Sequence, residues 1–204
     1  MKRLFITLVL LLAAVTASHA RRFQVGVRVG VNAIDYSLPI VSFADGYLVG
    51  GNTKVGFETA LMARLNITRH LHLQTEFEFS RSGYQLRYVS PAFERIVKLH
   101  ANRVEIPLML GVNIGPVRLF GGTFFRIAHS EKSSAPRLAE VRFNNSDVGI
   151  MGGIGINIRK FFVEARISGY PKSSVSNTII SDNVGQRVRV GRNIRYSLST
   201  GFFF

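Results

Sequence analysis

From Phe23 onward, apolar residues alternate with polar or small ones at a period of two, the signature of strands with two unlike faces. The clearest stretch begins at Arg103. On it Val104, Ile106, Leu108, Leu110, Val112 and Ile114 share one face, and Arg103, Glu105, Pro107, Met109, Gly111 and Asn113 share the other. Gly115-Pro116 is a turn signal. After it Val117, Leu119, Thr123, Phe125 and Ile127 continue the apolar face, opposed by Arg118, Phe120, Gly122, Phe124 and Arg126. Pairing Ile114 with Val117 sets a register that brings Glu105 directly opposite Arg126 on the polar face.

The rest of the chain repeats this design. A first strand covers residues 23–32. A second runs over 55–67, a turn over 68–70, and a third from 71 to 79, continuing irregularly toward Tyr88. The hairpin above supplies the fourth and fifth. A sixth occupies 147–158, Arg159-Lys160 turns the chain, a seventh occupies 161–170, and an eighth closes the chain over 193–204. Residues 37–54, 89–98, 129–146 and 171–186 read as long loops. Strands that meet in strict alternation at tight turns and long loops predict an all-β fold: an eight-stranded antiparallel up-and-down transmembrane β-barrel. Each strand reaches the roughly 9–11 residues that a tilted span requires.

Volume decides which face points outward. An eight-stranded barrel has an interior just wide enough for side chains to fill. The aliphatic face would overfill it. The other face, laced with Gly26, Gly30, Gly56, Gly111, Gly122, Gly149, Gly153, Gly155 and Gly201, fits. Its charges also balance, since Glu58, Glu76, Glu78, Glu105 and Glu164 can meet Arg28, Arg64, Arg103, Arg126, Arg166 and Arg195. Buried carboxylates persist only when paired or hydrogen-bonded, so the expected lumen is a filled polar network and not an open channel. Pro107 removes a ladder donor inside a closed sheet, and a local bulge is expected there.

Composition changes this picture at two points. Lys and Arg outnumber Asp and Glu by 26 to 12, a formal charge of +14, which favours anionic partners. No basic run of five or more occurs, so a nucleic-acid patch is not indicated. The chain has no cysteine, which excludes disulfides and thiolate metal sites. At the N-terminus Lys2-Arg3, the apolar run from Leu4 to Val15 and Ser18-His19-Ala20 form the charged, apolar and small-residue regions of a signal peptide. Residues 1–20 are therefore expected to be removed after Ala20, leaving a barrel domain over 21–204.

Val104-Glu-Ile-Pro-Leu-Met-Leu110 resembles the "EIPLLL" strand of the PorT-like outer-membrane β-barrel family of the Bacteroidetes. The glycine-alternating strand Asp147–Gly155 and the aromatic end Ser197–Phe204 are similar to that family's pattern as well. The resemblance implies a barrel inserted into the outer membrane of a Gram-negative bacterium by the barrel-assembly machinery. The family's namesake takes part in exporting proteins to the cell surface through the type IX secretion system. The resemblance thus implies a non-enzymatic structural or interaction role beside secretion components.

Other chemistry is thinly represented. His129-Ser130-Glu131 invites a hydrolase reading, but consecutive strand residues alternate in direction and do not form a catalytic set unaided. His70 and His72 flank a turn without a third ligand, so no metal, cofactor or catalytic residue is expected. The long-loop end is rich in arginine, and Arg137, Arg142, Arg187 and Arg189 are the candidates for gripping lipopolysaccharide phosphates. The rival readings are a lipid-modifying outer-membrane enzyme, a small pore and, weakest, a soluble lipocalin-like carrier.

Overall fold

The computed structural model describes residues 23–36, 40–43, 46–133, 140–144, 148–170, 176–181, 184–189 and 193–204. The signal-peptide expectation falls outside them. Eight long strands form the barrel: β1 (Phe23–Tyr36), β3 (Gly46–Asn66), β4 (Leu71–Val89), β5 (Glu94–Ile114), β6 (Val117–Ser133), β8 (Val148–Ile158), β9 (Phe161–Gly169) and β12 (Asn193–Phe203). A short β2 (Val41–Phe43) pairs with the start of β3. Each strand is antiparallel to its neighbours, in the order β1-β12-β9-β8-β6-β5-β4-β3. Pairing of β1 with both β12 and β3 closes the cylinder. It is the expected eight-stranded meander.

The aliphatic face points outward. Val27, Leu61, Phe77, Leu108, Ile154 and Leu198 are all exposed, Leu61 at 62%. Phe161, Phe202 and Phe204 cluster outside the short-turn end, with ring centroids 4.9 and 5.5 Å apart, and Phe57 and Phe79 meet at 6.0 Å nearer the other end. Aromatic residues at two heights with aliphatics between them match the girdles of a membrane barrel. Inside, large rings lie over glycines on neighbouring strands. A Cβ on Gly149 would collide with the Phe124 ring, one on Gly201 with Phe162, and one on Gly111 with His72. The glycines are what let aromatic and charged side chains share a narrow bore.

Strands run further than the alternation indicates. Residues 46–54 belong to β3, and of the loop expected over 89–98 only 90–93 separate β4 from β5. On β4 and β5 the reason is an inversion of polarity along the strands, and on β3 two register shifts, between Gly50/Thr53 and Lys54/Phe57, break the alternation. Beyond Phe79 and Val104, the inward residues become Tyr84, Leu86, Tyr88, Val97 and Ala101, each at most 5% exposed. Outward, Arg81, Arg87 and Lys98 are exposed. There the barrel stands above the bilayer with the inside-apolar pattern of a soluble sheet, so the outer-membrane pattern stops while the strands continue.

The hairpin register is as expected: Ile114 pairs with Val117 and Glu105 with Arg126. The bulge lies at Val104/Glu105, two residues before Pro107, with Ile127 as the extra residue on β6. At Pro107 itself the β4–β5 pairing is interrupted between Thr75/Leu108 and Glu78/Glu105. The Thr75 hydroxyl donates to the Pro107 carbonyl at 3.0 Å.

Candidate functional site

The inward phase of seven of the eight strands delivers charged side chains to the bore. Six arginines (28, 64, 103, 118, 166 and 195) and five glutamates (58, 76, 78, 105 and 164) are buried there, none more than 5% exposed. Arg28 is the hub. Its guanidinium hydrogen-bonds to Glu58, to Glu76 at 3.1 Å, to Glu78 at 2.7 Å and to the Ser199 hydroxyl at 3.1 Å. Glu164 lies 3.6 Å from its Nε.

Arg166, from β9, donates to both oxygens of Glu76, at 2.5 and 2.9 Å, and pairs with Glu164. Arg195, from β12, donates to Glu105 at 2.7 Å, to Ser80 and Ser168 at 3.1 Å each, and contacts Glu78 at 3.2 Å. Most of these links span strands that are not neighbours in the sheet, so the network bridges the lumen from wall to wall. Removing one partner of a buried pair leaves the other's charge stranded, so these groups depend strongly on one another.

Not every residue expected in this network joins it in the same way. Glu105 faces Arg126 in register, yet its 2.7 Å bond goes across the lumen to Arg195. Arg126 stacks 5.5 Å from the Tyr170 ring centroid. Arg64 meets Gln74 and no glutamate, with Nε and Nη2 at 2.9 and 2.7 Å from Oε1. Arg118, absent from the sequence-based set, bonds to Glu164 and sits 3.3 Å from the Asn157 side-chain oxygen. Its signal was present, since it occupies the same inward phase after Gly115-Pro116 that places Arg126 inside. Gln74, Ser80, Ser168 and Ser199 were likewise legible only as polar-face residues, not as partners.

The histidine candidates separate. His72 is buried over Gly111, whereas His70 is exposed in the turn, its Nδ1 3.2 Å from the Asn113 carbonyl oxygen. The bulge at Ile127 turns His129 onto the inner side opposite Arg103, while Ser130 is exposed. Among the described residues no group of three or more potential metal ligands forms.

At the long-loop end, β7 (Glu140–Asn144), β10 (Ser176–Ser181) and β11 (Val184–Arg189) make a separate three-stranded sheet. Arg142 and Arg187 both pair with Thr178, and Asn144 and Arg189 both pair with Ser176. Arg142, Arg187 and Arg189 thus lie on adjacent strands of one small sheet. Arg137 lies outside the described residues.

Residues 13–168 match the family described as outer membrane protein beta-barrel domain. The chain belongs to that family. It is an integral protein of the Gram-negative outer membrane, and the outward aliphatic belt is its lipid-facing surface. Among solved structures, the outer membrane protein OprG from Pseudomonas aeruginosa is similar, with a TM-score of 0.54 at 8% identity, covering 90% of this chain and 96% of that one. Ail of Yersinia pestis, solved in complex with the heparin analogue sucrose octasulfate, gives a TM-score of 0.47 at 12% identity, covering 90% and 99%. Neisserial surface protein A gives 0.45 at 13% identity, covering 89% and 97%. At these identities the likeness to OprG speaks for the fold alone. No curated protein matches the chain in sequence.

Proposed function

We propose that this barrel is a non-enzymatic interaction protein that works through its two ends, alongside components that export proteins to the cell surface. The observation that carries the reading is the cross-lumen network, in which Arg28, Arg166 and Arg195 join five glutamates from four strands at the membrane level. A bore filled in this way does not suit a diffusion pore. The separation of His129 from Ser130 does not suit a hydrolase. What remains exposed for function is the raised long-loop end and the short-turn rim. The PorT-like pattern of Val104–Leu110, which lies in β5, supports the export setting.

The test is made in a deletion strain of the source organism. Normally surface-exposed proteins are expected to accumulate in the periplasm, and the purified barrel is expected to give no discrete conductance steps in planar bilayers. Intact surface display removes the export role, and regular single-channel steps favour the small-pore reading instead. The placement of Arg142, Arg187 and Arg189 on one small sheet at the long-loop end supports lipopolysaccharide phosphate as a partner at the outer end. Insertion by the barrel-assembly machinery belongs to the same reading.

A further inference from the structure

Of the buried arginines, Arg64 stands apart. It is 4% exposed, yet its hydrogen bonds go to the neutral Gln74, and its guanidinium carbon lies 4.1 Å from the Phe203 ring centroid. Gln74 in turn donates to Glu76 at 2.6 Å, but that carboxylate is already engaged by Arg28 and Arg166. Among the described residues Arg64 has no carboxylate partner. A buried charge without a counter-ion is unfavourable unless something else supplies one.

Arg64 lines a polar cavity of about 600 Å³ at the short-turn end. That volume lies in the range, about 300–1,000 Å³, of small-molecule sites. Arg69 and Arg159, from two of the tight turns, line it with Arg64, as do the side chains of Asn66, Asn113 and Asn157. No aspartate or glutamate is among the described residues of its lining. The amides are partly committed to one another: Asn66 donates to Gln24 at 3.2 Å, and Asn157 to Asn113 at 3.5 Å. Among the described residues, three arginines and no aspartate or glutamate surround this space.

We propose that this cavity at the periplasmic mouth binds an oxyanion, a carboxylate or phosphate group presented from the periplasm, with Arg64 at its base and Arg69 and Arg159 at its rim. Arginine suits this role because its planar fork can meet two oxygens at once. The face of Phe203 holds the Arg64 fork in place, so little side-chain entropy remains to be lost on binding. On its inner side Arg64 meets Gln74, beyond which stands Glu76 with Arg28 and Arg166, so the ligand is taken to enter from the periplasmic mouth.

Isothermal titration of the refolded full chain in nanodiscs of zwitterionic lipid tests this, with inorganic phosphate in one arm and an N-acetylated triglutamate peptide in the other. Saturable binding of either probe is expected, and the arm that binds identifies the source of the oxyanion. Arg64→Met is expected to weaken binding at least tenfold. Arg69→Ser with Arg159→Asn, a change at the rim only, is expected to weaken it as well and covers the case in which Arg64→Met does not fold. Arg87→Ser, at the far end, is expected to bind as wild type does. Bound probe should also raise the thermal midpoint of the wild-type barrel and leave that of Arg64→Met unmoved. No saturable binding in either arm, or equal binding by wild type and the rim variant, would overturn the proposal.

Discussion

Replacing Arg28 by methionine tests whether the lumen network holds the barrel together. Methionine keeps much of the chain length but removes the guanidinium that bonds Glu58, Glu76, Glu78 and Ser199. The loss is uneven. Glu76 and Glu164 keep Arg166, and Glu78 keeps Arg195 at 3.2 Å. Glu58, 2% exposed, loses the arginine it hydrogen-bonds. Removing one partner of a buried pair costs about 3–5 kcal/mol, because the other charge stays buried. That lowers the folded-to-unfolded ratio by roughly two to four orders of magnitude.

The diagnostic comparison is the double variant. Glu58→Gln in the Arg28→Met background removes the stranded charge, so a second deletion should return about 1–3 kcal/mol, a coupling within the range for residues in contact. The chain has no tryptophan. Unfolding in urea is therefore followed by far-ultraviolet circular dichroism in micelles, with mobility on unheated gels as the second readout. An Arg28→Met midpoint equal to wild type, or a double variant less stable than the single, would refute the argument that burial makes these charges interdependent.

Two further outcomes are expected. Leu61, outward and paired between Val27 and Phe77, should cost about 2–4 kcal/mol as Leu61→Arg if it lies near the bilayer midplane, measured by the same titration in lipid; full tolerance would contradict the outward facing of this strand. Neutralising Arg142, Arg187 and Arg189 together should reduce lipopolysaccharide co-purifying with the barrel, measured by phosphate assay on the washed protein, and unchanged lipid content would remove that partner.

Period-two alternation is local information, and it was enough to determine the strand count, the antiparallel meander and the Glu105–Arg126 register; the outward aliphatic face needed only the added limit that an eight-stranded bore is narrow. The first three follow from neighbours along the chain or across one tight turn, where Gly115 adopts a positive φ of 61°. What the strand pattern could not carry was anything depending on closure. Once β1 meets both β12 and β3, Arg28 stands within reach of Glu76, 48 residues away, and Glu105 reaches across to Arg195 instead of pairing only along its own hairpin.

Height above the bilayer was hidden too. The inward turn to Leu86 and Val97 reverses the polarity that marks a membrane strand, so residues at 94–98 resembled loop, and two register shifts between Gly50 and Phe57 hid the strand over 46–54. One extra residue at Ile127 changed the side on which His129 lies. Arg64 read like every other lumen arginine until the fold placed a glutamine opposite it, with an open cavity beside it. Sequence sets which residues face inward. Which of them meet, and which is left without a counter-charge, is decided only when the sheet closes on itself.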